Sequence, residues 1–131
     1  MSDIEIERKI REVDWSQYNG PECFSASELQ EALLDLLSYD ESRAVHGLDN
    51  KVLFAVGNNH AGTYYPAILE ATDILINIET SGENESSRKC AFAILNDLTC
   101  FEPELGSYKG CSNTQLQEFV ATKLKNYEDQ T

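Results

Sequence analysis

Positive charge is scarce in this sequence: ten lysines and arginines face 23 aspartates and glutamates across 131 residues, for a net charge of −13. Long apolar runs are missing too. None approaches the roughly 18 to 20 residues a membrane span needs, and the opening "MSDIEIERKI" lacks the basic-then-apolar order of a secretory signal, so the expectation is a cytoplasmic protein with no membrane partner. There is no CxxC pair among Cys23, Cys90, Cys100 and Cys111, and four cysteines are too few for a disulfide scaffold, so reduced thiols are expected. The last three are separated by nine and ten residues, which does not fit the short clips that hold zinc; no metal or other cofactor is expected.

Catalytic signatures are absent as well. The chain has no G-x-S-x-G, HExxH, Walker loop or G-x-G-x-x-G. Its two histidines, His46 and His60, fall on different expected elements, and its carboxylates recur as helix-face residues with no reason to share a proton. The expectation is therefore a protein that is not an enzyme. The charge is also unevenly spread. Residues 12–87 hold 14 acidic side chains against Arg43 and Lys51, a net of −12 from 2 − 14. Such a field repels nucleic acid and anionic lipid and speeds encounter with a basic protein. A solvated surface kept for solubility is the alternative use of the same charges.

What the sequence does contain is helical periodicity. In "FSASELQEALLDLLSY", Leu29, Ala32, Leu33, Leu36 and Leu37 trace one face, and Ser25-x-x-Glu28 is a capping box. Ser38-x-x-Glu41 offers a second box, after which Ala44, Leu48, Val52, Ala55 and Val56 continue the spacing as far as Gly57, so a very short turn is expected between these two helices. Further stripes follow: Ile68, Ala71, Ile74, Leu75 and Ile78, then Ala91, Ile94, Leu95 and Leu98, and finally Leu116, Phe119, Val120, Lys123 and Leu124 behind a Ser112-x-x-Gln115 box. Near the amino terminus, Ile4 and Ile6 alternate like a strand while Ile6, Ile10 and Val13 step like a helix. A helix is preferred, because no second strand is evident to pair its backbone.

A repeat underlies the pattern. Moving "EALLDLL" (31–37) forward by 39 positions lands on "EATDILI" (70–76), and "VLFAV" (52–56) lands on "AFAIL" (91–95). A two-helix unit near 40 residues, stacked on its copy, is the sequence signature of an α-solenoid. The expected architecture is all-α: one helical domain over 1–131, a short HEAT/armadillo-like solenoid of five to six helices. It would have antiparallel hairpins at about 25–58 and 64–100, with a short helix before them and one after.

Between the hairpins lies "HAGTYYPA" (60–67), which reads as a corner. Thr63 is the expected N-cap, Pro66 is tolerated in the first turn, Tyr65 is a core or groove residue, and His60 is a turn residue or a partner contact. The order "VDWSQYNGPECFSASELQEALLDLLS", a charged hairpin, "NNHAGTYYPAILEATDILINI" and "SSRKCAFAILNDL" resembles the bacterial HEAT-repeat-like proteins over most of the chain, most specifically in His60-x-Gly62-Thr63-x-Tyr65-Pro66-Ala67. It departs from that group at "EATDILI", where proline and phenylalanine are common.

The resemblance implies an immunity protein of a polymorphic or contact-dependent growth inhibition toxin system. Such a protein would act as a monomer in a 1:1 complex with a cognate basic toxin domain, a nuclease, whose active site it covers with an acidic surface. The alternative is a HEAT-like scaffold joining proteins unrelated to toxins. On the immunity reading the partner-binding candidates are the aromatic residues at expected helix ends, Trp15, Tyr18, Tyr39, Tyr64 and Tyr65, with core-edge burial as the competing role for each. Tyr39 with Asp40 and Glu41 is the favoured contact cluster. His60 joins the list, and Glu79, Glu83, Glu85, Glu102 and Glu104 are the candidate phosphate mimics.

Overall fold

The computed structural model describes residues 2–18, 25–39, 47–58, 61–103 and 113–127. The fold is all-α, with six helices among these residues: α1 (Asp3–Glu12), α2 (Ala26–Leu37), α3 (Leu48–Val56), α4 (Ile68–Ser81), α5 (Glu85–Leu98) and α6 (Asn113–Lys123). No helix in this set is long and apolar enough to cross a membrane.

The ambiguous amino-terminal segment resolves as a helix. Ser2 caps α1 by accepting the Glu5 amide at 3.3 Å, acidic residues fill the first turn and Lys9 and Arg11 the last, each charge sign opposing the helix dipole. Ile6 and Ile10 are fully buried while Ile4 is 78% exposed, so the helical period faces the core and the alternating one does not. After a single 3₁₀ turn, Trp15–Gln17, the Trp15 indole N–H donates to the Ile10 carbonyl at 3.0 Å, which pins the chain against the end of α1.

In α2 the capping box forms as expected, with the Glu28 amide donating to Ser25 Oγ at 3.3 Å, and Leu29, Ala32, Leu33, Leu36 and Leu37 are buried. The second box, Ser38-x-x-Glu41, lies partly outside the described residues. Ser38 is the C-cap of α2, and its hydroxyl lies 3.2 Å from the Leu34 carbonyl and 3.3 Å from that of Asp35, so it serves the helix behind it. Glu41 and Ala44 lie outside the described residues, and α3 opens only at Leu48. The expected short turn between these helices falls on residues 40–46, outside the described residues. The carbonyls at the end of α2 meet the buried Ser87 hydroxyl of α5, which donates to Leu37 O at 3.1 Å and Tyr39 O at 2.7 Å.

The corner before α4 differs from the expectation in kind. Gly57–Asn58 (β1) pairs antiparallel with Thr63–Tyr64 (β2), and β2 pairs in parallel with Glu102–Pro103 (β3), making a small sheet ordered β1-β2-β3. Thr63 is thus a strand residue, not a helix cap; Ala67 occupies the N-cap of α4 without a side-chain bond. Asn58 holds the turn, its carbonyl accepting the Gly62 amide at 2.9 Å and its Oδ1 the Ala61 amide at 3.2 Å. Gly62 has φ +69°, and at Gly57 a Cβ would sit 1.9 Å from the Thr63 carbonyl oxygen, so both positions require glycine for physical reasons. His60 lies outside the described residues.

One apolar cluster draws on all six helices. The α2–α3 and α4–α5 pairs correspond to the two repeat units, and α5 lies against both α2 and α3. Helix α4 is the most enclosed, packed by α1, α5 and α6. Two pairs fall short of the three or so stacked units that give a solenoid its stability, and here α1 and α6 take the place of further repeats.

Candidate functional site

The stripe of α2 opposite its leucines carries Glu28, Glu31 and Asp35, spaced three and four apart and therefore on one face. From α3, Lys51, Phe54 and Ala55 point to the same side, and the two helices border a groove of about 660 Å³ that Ser25, Gly57, Asn58 and Tyr65 also line. Phe54 is 44% exposed, one of two large apolar side chains that reach solvent to this extent among the described residues. Lys51 Nζ lies 2.8 Å from Asp35 and 4.0 Å from Glu31. The bond to Asp35 raises the Lys51 pKa most, against a lowering by desolvation, and the charges of Asp35, Glu31 and Glu28 add to the rise.

Elsewhere five cations are spent locally. Arg8 pairs with Glu12 at 4.0 Å, Arg11 with Glu7 at 3.3 Å, Lys89 with Glu85 at 3.2 Å and Lys123 with Asp73 at 3.0 Å, while Arg88 donates to the Gly82 carbonyl at 2.6 Å. Pairs this exposed add little stability, but each consumes a positive charge, so the acidic excess stands as carboxylates facing solvent.

The aromatic candidates divide by burial. Trp15, Tyr64 and Tyr65 are 3%, 1% and 2% exposed, the burial expected of the competing core-edge role, and Tyr65 also lines the groove. Most of their apolar area is already removed from water. Burial, followed by the charge of Glu102, pushes the Tyr64 phenol up to about 12. Tyr18 and Tyr39 are half-buried against the core, and Tyr18 donates to Glu70 Oε1 at 3.2 Å. Asp40 and Glu41, the rest of the favoured cluster, lie outside the described residues.

The candidate phosphate mimics among the described residues stand at two places. Glu79 is engaged by Tyr127, whose hydroxyl donates to Oε2 at 3.0 Å; burial first, then this bond, pushes the Tyr127 phenol up to about 12. Glu83 and Glu85 sit at the start of α5, the Glu83 amide donating to Asp3 Oδ1 at 2.9 Å. Glu102 is beyond the other end of α5, roughly 20 Å away at 1.5 Å per residue. Expected around helix ends, Glu79, Glu83 and Glu85 flank the α4–α5 turn, and Glu102 lies past the opposite end of α5. Glu104 lies outside the described residues.

Of the thiols, Cys90 is half-buried and Cys100 exposed, both free; burial, with the charge of Asp49, pushes the Cys90 thiol up to about 11. Cys23 and Cys111 lie outside the described residues. Sequence reasoning missed Glu28, Glu31, Lys51 and Phe54 as a group. The one signal was Phe54, an aromatic that falls off the buried stripe of Leu48, Val52 and Val56. No family model, curated protein or solved structure matches the chain.

Proposed function

We propose that this protein binds a cationic protein, and that it is an immunity protein which neutralises a basic toxin domain with nuclease activity by covering its active site, as a cytoplasmic monomer in a 1:1 complex. The observation that carries the reading is the uncompensated acidic surface. At net −13, with the paired cations spent on neighbouring carboxylates, the protein attracts a positive cleft and repels the polyanion that the cleft was built to hold. The α2–α3 groove adds the desolvatable aromatic area that charge alone lacks, with Phe54 bordered by Glu28 and Glu31. Binding needs no catalytic constellation, which agrees with the sequence-level expectation that the protein is not an enzyme.

The test has two parts. The gene for an immunity protein lies directly downstream of a large toxin gene, and co-expression with that toxin domain restores growth. Stopped-flow association of the purified pair slows at least tenfold between about 50 and 500 mM salt as the Debye length contracts. A flat rate constant removes the electrostatic argument, and absence of binding leaves the scaffold reading.

A further inference from the structure

The groove between α2 and α3 is small for a protein interface. Its volume of about 660 Å³ lies in the range of roughly 300 to 1,000 Å³ that holds a small ligand, so it accommodates one or two long side chains. Its walls are also of two kinds: Phe54 and Ala55 supply apolar surface, and Glu28 and Glu31 supply negative charge. A strongly hydrated point charge uses only the second. A guanidinium uses both, because it is planar, weakly hydrated, stacks on a ring face and bridges carboxylates with two parallel N–H bonds.

The protein already places one of its own cations at this spot. Lys51 bonds Asp35 at 2.8 Å and approaches Glu31 at 4.0 Å, and the three side chains are 44%, 45% and 69% exposed. A pair this open to solvent is weakly held and readily exchanged. We infer that the groove receives arginine side chains of the cationic partner, stacked on Phe54 and bridged to Glu28 and Glu31, and that Lys51 is the resident cation with which they compete. The inference rests on the cationic-protein reading above and narrows it to one face and one side-chain type. Lysine-rich partners bind the same face less tightly, since they gain the charge but not the stack.

Blocked tetra-arginine and tetra-lysine peptides are the probes, titrated into the full chain at about 50 mM salt and followed by amide chemical shifts. Tetra-arginine binds at least fivefold more tightly than tetra-lysine, with the largest shifts at Glu28, Glu31, Phe54 and Ala55. F54L brings the two peptides within twofold of each other. K51M tightens tetra-arginine about fivefold or more, whereas K125M, which removes an equal charge from an exposed position after α6, changes it less than twofold. Equal affinities for the two peptides, or K51M matching K125M, overturn the inference. If salt-dependent binding of the toxin domain persists while F54L and K51M behave as wild type, only the groove assignment fails. If neither the peptides nor the toxin domain binds, the cationic-protein reading fails with it.

Discussion

Glu31, Lys51 and Phe54 in the first helix pair stand 39 residues before Glu70, Cys90 and Ala93 in the second, and these matched positions have opposite fates. Glu31 borders an open groove, while Glu70 accepts a bond from Tyr18 at 3.2 Å. Lys51 is a half-exposed ammonium held by Asp35; Cys90 is a half-buried thiol. Phe54 puts a ring into solvent where the second pair has a methyl group. The same hairpin is therefore used twice for different ends. Among the described residues, α6 packs on α4, α1 packs on both α2 and α4, and the outer side of the α2–α3 pair borders the groove.

The sharpest way to break this contrast is to compare side chains across the pairs. Ile74→Ala, at a fully buried position of α4, is expected to cost about 2 to 5 kcal/mol in urea unfolding, against less than about 1 kcal/mol for Phe54→Ala. A reversal of that order would mean the groove is part of the core. Next in size is Tyr127→Phe, which removes the phenol that donates to Glu79 and is expected to cost about 1 to 2 kcal/mol at neutral pH.

The same phenol gives a pH signature. Tyr64 and Tyr127 are both raised from 10.0 to about 12, so the stability they contribute is complete below pH 10 and is lost as pH climbs towards 12. An alkaline titration followed by circular dichroism should show unfolding in that window, shallower in Tyr127→Phe. The smallest effect compares the matched glutamates directly. Glu70→Gln should cost about 0.5 to 1 kcal/mol by weakening the Tyr18 bond, while Glu31→Gln stays within about 0.5 kcal/mol of wild type and lowers only partner binding.

The apolar stripes were legible because burial writes itself into sequence with a period of 3.6. Ile68, Ala71, Ile74, Leu75 and Ile78 are all buried, as are Ala91, Ile94, Leu95 and Leu98. The sheet was not legible. Two-residue strands are too short to alternate, and β2 finds β3 across two intervening helices, a pairing that no local window contains. Thr63 looked like a cap because a hydroxyl before a helix usually is one, yet sheet pairing claimed its backbone first. The groove was hidden for another reason. Periodicity tells which residues face inward, but whether an outward face stays open depends on what packs over it. The acidic excess was plain from composition, whereas its division between Tyr-bonded carboxylates and open ones needed the tertiary contacts.

The parallel pairing of Thr63 with Glu102 brings both ends of the second helix pair to one place, separated by roughly one strand spacing of 4.8 Å and the short rise of two residues. A segment whose entry and exit adjoin meets the geometric condition for insertion into a surface loop of an unrelated host. Residues 63–103 meet that condition, but α4 packs on α1 and α6 and α5 on α2 and α3, so the closure clamps them into the shared core and does not make them a separable unit.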